Sequence, residues 1–125
     1  MKKLIYLQTL FILCSFTAVD AQTSAIEKKT DTTARLAIRY MNAHQPDSVY
    51  LLTGANFRSQ VPAATWTTVY NTQLATLMPF TKIEFVKSIG AVNVYKLTGS
   101  IVLTYNVSID GSGKINDFSF VPYQE

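Results

Sequence analysis

Cysteine is almost missing from this chain: its 125 residues hold one, Cys14, inside the first apolar run. Beyond that run no disulfide can form, and neither a thiolate nucleophile nor a cysteine-based zinc site is available. Histidine is as scarce, with His44 alone. No histidine–acid metal spacing, Ser-x-x-Lys or Gly-x-Ser-x-Gly sequence occurs, so the common metal- and serine-hydrolase constellations are absent. By motif the chain therefore nominates no catalytic residue, no metal site and no cofactor. Charged residues are only 15% of the whole and are scattered, so no basic stripe exists to follow a phosphate backbone, which argues against nucleic acid.

What is present begins with a leader. Lys2 and Lys3 precede the apolar stretch 4–19 (LIYLQTLFILCSFTAV), and Val19-Asp20-Ala21 places a small residue before Gln22. This is the tripartite layout of a secretory signal peptide over residues 1–21, too short and wrongly flanked for a membrane anchor. The reading is an exported (periplasmic or secreted) protein beginning at Gln22, with no membrane span after cleavage. The remaining stretch, 22–125, suffices for a single domain. It carries nine basic and seven acidic residues, a net of +2.

Residues 25–43 have helical periodicity, with Thr33, Leu36, Ala37, Tyr40 and Met41 on one face. Asp31 precedes Arg35 by four residues, the favourable order for a helical ion pair. Pro46 suits the first turn of a short helix over Asp47–Leu52 that Gly54 ends. Ala55–Gln60 reads as a loop. A third helix is expected at 62–77, where Trp66, Val69, Tyr70, Leu74 and Leu77 share a face and Pro79 follows.

From Phe80 the period shortens to two. Strands are expected near 82–89, 91–98, 101–109 and 114–121, the clearest alternating Ile101, Leu103, Tyr105, Val107 and Ile109 with polar residues. Helices followed by an antiparallel four-strand meander give an α+β order, with the helices on one sheet face. Asp110-Gly111-Ser112-Gly113-Lys114 lies between two such strands. It lacks the following helix and the Lys-Ser/Thr ending of a phosphate loop, and it has one carboxylate where a calcium loop needs several. It reads as a hairpin turn capped by Asp110, with Gly113 at positive φ and Lys114 facing water.

Three aromatics, Trp66, Tyr70 and Tyr105, are candidates to line a ligand pocket, although aromatics at helical or strand spacing are more often plain core. Asp117 and His44 are the two residues available to an acid–base mechanism. The spacing places Asp117 on the strand face opposite Phe118 and Phe120, and His44 at a helix end on the surface.

In order along the chain, ARLAIRYMN, PDSVYLLTGANFRSQV, the tryptophan-containing helix and VSIDGSGKINDFSFVPY resemble a small bacterial group within the nuclear transport factor 2-like superfamily. The resemblance spans residues 30–123. It implies three N-terminal helices packed on a curved four-stranded antiparallel sheet, a cone-like fold with an internal pocket. Similar domains often stand before a serine hydrolase or β-lactamase-like domain, and Gly113–Tyr123 resembles that junction. The sequence here runs only to Glu125, so a hydrolase partner would be separately encoded. Members often carry glycine after the third helix, where this chain has Met78-Pro79, a change at the pocket mouth. The superfamily hosts isomerases, dehydratases and non-catalytic modules, so fold leaves function open. The first expectation is a non-catalytic module binding a small apolar ligand or a protein partner. Alternatives are a small lyase or isomerase using Asp117 or His44, and a structural homodimer pairing sheet face to sheet face.

Overall fold

Helix α1, residues 25–42, lies on the sheet through a stripe that includes two alanines. The computed structural model describes residues 25–124; the leader, Cys14 and the start at Gln22 lie outside the described residues. The buried stripe of α1 is Thr30, Ala34, Ala37, Ile38 and Met41. Of the face expected from periodicity only Ala37 and Met41 are fully buried, while Thr33, Leu36 and Tyr40 sit half-buried at its margin. The rotation has a steric cause. Ala34 and Ala37, both fully buried, let the helix backbone come within reach of the Tyr105 hydroxyl, which donates to the Ala34 carbonyl at 3.1 Å. Thr30 can be buried because its hydroxyl returns to the Ile26 carbonyl at 2.8 Å. The expected Asp31–Arg35 pair forms at 3.0 Å.

The helix closes on His44, whose φ of 58° is left-handed. The His44 amide donates to the Met41 carbonyl (3.0 Å) and the Gln45 amide to the Tyr40 carbonyl (2.9 Å). That pair of bonds is a Schellman ending, built here without the usual glycine. Helix α2, Pro46–Leu51, follows with Pro46 in its first turn. Residues Ala55–Gln60, expected as a loop, form helix α3 instead. One buried side chain, Phe57, holds it, packing at 5.0 Å between ring centroids on Phe118. A single anchor in a polar hexapeptide leaves no periodic signal. The expected helix at 62–77 is a composite: helix α4, Ala63–Val69, then a π turn, Tyr70–Leu74, then a 3₁₀ turn, Ala75–Leu77.

The four strands are β1 (Lys82–Ile89), β2 (Val92–Thr98), β3 (Val102–Ile109) and β4 (Ile115–Pro122). They form an open antiparallel meander in the order β1-β2-β3-β4. The protein is thus α+β, helices first and sheet second. Registers Phe85↔Tyr95, Tyr95↔Tyr105 and Tyr105↔Phe120 run one aromatic row across the helix-facing side. Tyr105 and Phe120 stack at 4.8 Å and Tyr95 lies 5.7 Å from Tyr105. Bulges interrupt β1 between Phe85 and Lys87 and the β3–β4 ladder near Ile109. The turn behaves as expected: Gly113 has φ 84°, and one Asp110 oxygen accepts from the Ser112 and Lys114 amides and the Ser112 hydroxyl. Those bonds, the Ser112 hydroxyl's above all, hold the Asp110 carboxyl below its ordinary pKa. Lys114, exposed as expected, also reaches the Leu51 carbonyl at 3.4 Å.

Candidate functional site

Between α4 and the outer edge of β4 runs an open groove of about 280 Å³. Its helix wall follows from the π turn. The Ala75 amide reaches back five residues to the Tyr70 carbonyl, which slows the helical rotation. Trp66, Tyr70 and Leu74, four residues apart each time, therefore all return to the core side, and all three are buried. Trp66, Val69 and Leu74 line this wall, with Thr65 and Gln73 at its rim. The opposite wall is Phe118 and Phe120 of β4, and Phe57 and Val61 close one end. The lining is largely apolar, with four aromatic rings: Trp66 lies 5.4 Å from Phe118, and Phe118 meets Phe120 edge-on at 5.6 Å. No charged side chain lines the groove.

The candidate aromatics take different places around it. Trp66 lines the groove, and its indole N–H is spent on the Pro46 carbonyl at 2.9 Å. Tyr70 stands behind Trp66 at 6.1 Å and donates its hydroxyl to the Met41 carbonyl at 2.7 Å. Tyr105 is fully buried beneath α1 and touches the site only through its stack on Phe120. Burial pushes the Tyr70 and Tyr105 phenols above their ordinary pKa, so both remain donors at neutral pH. Sequence reasoning did not single out Phe57, Val61, Phe118 and Phe120 as groove residues. The alternation Asp-Phe-Ser-Phe (117–120) was the available signal for two of them.

Other hollows are less suited to a ligand. One, about 710 Å³, lies between α1 and the hairpin turns, where Lys29, two threonines and the Asp110–Gly113 turn line it. A third, about 440 Å³, borders Asp31, Arg35 and the exposed ring of Phe85. Beneath it runs a chain of bonds. Arg35 Nε donates to Asp31, Asp31 Oδ1 accepts from the Tyr95 hydroxyl (2.8 Å), and that hydroxyl accepts from Asn93 (3.1 Å), whose Oδ1 accepts from Ser88 (3.0 Å). Asn93 also donates to the Glu27 carbonyl at 3.1 Å. Tyr95 has no exposed surface and burial raises its pKa, so no substrate reaches it and it keeps its proton. The chain is a polar tie between α1 and the sheet.

His44 and Asp117 are both exposed. His44 Nδ1 lies 3.5 Å from the Tyr70 hydroxyl, away from the groove lining. Asp117 pairs with Ser108 in the ladder, one residue off the Phe118–Phe120 face. Among the described residues no group of three His, Cys, Asp or Glu could hold a metal ion, and no helix is long and apolar enough to cross a membrane. Comparison with known proteins found no matching family model, no similar curated protein and no similar solved structure.

Proposed function

We propose that this chain is an exported, non-catalytic binding domain of the nuclear transport factor 2-like kind, which takes a small apolar ligand, or an apolar part of a protein partner, in the α4–β4 groove. The observation that carries this reading is the chemistry of the lining. Apolar and aromatic side chains form both walls, and Trp66 and Tyr70 have already committed their polar atoms to backbone carbonyls. Such a surface gains by losing water and has little to offer a charged group. Neither Asp117 nor His44 lines it, so a lyase or isomerase would have no base at this place. Export rests on residues 1–21, and mass spectrometry of the exported protein is expected to find Gln22 at its N-terminus.

Trp66 is the only tryptophan and reports on its own site. Titration with 6-bromohexanol, whose bromine quenches indole on contact, is expected to give saturable quenching of Trp66 emission. Purely linear, collisional quenching would remove the groove as a binding site.

A further inference from the structure

The groove has a wall that side chains alone do not describe. β4 is an end strand of the sheet, so alternate residues along it turn their backbone N–H and C=O away from β3. The Tyr123 amide bonds to the Val102 carbonyl of β3 at 3.1 Å. Counting back in twos, Val121, Ser119 and Asp117 also face β3, and Phe118 and Phe120 face outward over the groove. Pro122, which has no N–H, falls on the outward side, where a proline is tolerated.

At the start of β4 this outward edge is already in use. Ile115 donates its N–H to the Leu52 carbonyl (2.8 Å) and accepts from the Gly54 amide (2.9 Å), with Thr53 as its parallel bridge partner. The chain thus lays residues 52–54 along β4 in a single parallel bridge. Past residue 54 the chain enters α3, which packs Phe57 on the ring of Phe118, and among the described residues no strand continues the pairing along Phe118 and Phe120.

We infer that the occupant of the groove is an extended peptide of a partner protein, added to the outer edge of β4 in the direction that residues 52–54 take. This rests on the groove being a binding site, as proposed above. In such a ladder the Phe118 N–H donates to one peptide carbonyl, and the Phe118 carbonyl accepts from the N–H two residues on. That same peptide residue presents its carbonyl to the Phe120 N–H. The two residues paired with Phe118 and Phe120 share their face, so their side chains enter the groove against Trp66, Val69 and Leu74. The partner segment therefore carries uncharged apolar residues at positions i and i+2.

The probe is acetyl-Lys-Thr-Val-Thr-Val-Thr-Lys-amide, followed by the amide NMR signals of Phe118 and Phe120 and by Trp66 emission. Binding is expected to shift both amide signals. Methylating the backbone nitrogen of the central threonine, which faces β4, is expected to weaken binding about tenfold, the scale of one lost hydrogen bond. Methylating a valine nitrogen, which faces water, is expected to leave affinity unchanged. Equal losses from both methylations overturn the strand-addition geometry. So does failure of the unmodified peptide while 6-bromohexanol still saturates, a result that leaves the groove itself standing. If neither probe binds, both readings fall together.

Discussion

The two flanks of the molecule bury aromatic residues in opposite ways. Under α1 the sheet is sealed: Ala34 and Ala37 let the helix sit close, and the Tyr95 and Tyr105 hydroxyls bond across to α1. On the other flank Trp66 and Val69 of α4 and Leu74 of the π turn face Phe118 and Phe120 across an open groove. Small side chains and hydrogen bonds between helix and sheet close one side, while on the other the hydrogen bonds of Trp66 and Tyr70 run to Pro46 and Met41, not to the sheet, and a groove stays open beside β4. A core closes tightly where helix and sheet are joined by both shape and polar bonds.

Trp66→Ala should break this contrast most severely. It removes a core aromatic with rings on both sides and its bond to Pro46, at about 3–5 kcal/mol. Thermal unfolding should show a large drop in midpoint, and a drop of only a degree or two would mean Trp66 is a groove ornament.

A sharper comparison adds the same kind of bulk to each flank. Ala37→Leu forces methyl groups into a fully buried position against the sheet and should cost about 1–3 kcal/mol. Val69→Leu adds one methylene beside open groove space and should fall within about 0.5 kcal/mol of the parent. Denaturant midpoints measured side by side decide it, and equal losses would show that the groove side is as tightly packed as the α1 side.

The smallest effect is expected at the hairpin turn. The folded Asp110 carboxyl has a lowered pKa, so the folded protein binds this proton less readily than the unfolded chain does. Its contribution is fully present above the ordinary carboxylate pKa of about 4 and is lost as pH falls through the lower folded value. The stability difference between parent and Asp110→Asn should therefore shrink as pH falls below about 4. A difference that is flat with pH would mean the Ser112 and Lys114 bonds leave the carboxyl unperturbed.

Much of the sheet was legible because β3 alternates so cleanly and because Asp110–Lys114 carries its own turn chemistry. Helix α3 was not legible, since Phe57 is its only buried residue and its partner Phe118 lies 61 positions away in the sequence. The face of α1 was misjudged for a related reason. Hydrophobicity favoured Leu36 and Tyr40, whereas close approach to the sheet selected Ala34 and Ile38. The groove was only half legible: Trp66 was named, but its facing wall depends on which strand ends up at the edge.

Local chemistry alone determined the α-then-β order, the Asp31–Arg35 pair and the turn at Gly113. Each depends on residues within a few positions of one another, where propensity and spacing act directly. Tertiary structure decided the rest: which side of α1 is buried, the π turn that brings Leu74 back beneath Trp66, and the outward-facing backbone of Phe118 and Phe120. These depend on packing between segments far apart in the chain, where volume and the satisfaction of backbone groups override what a short window can express.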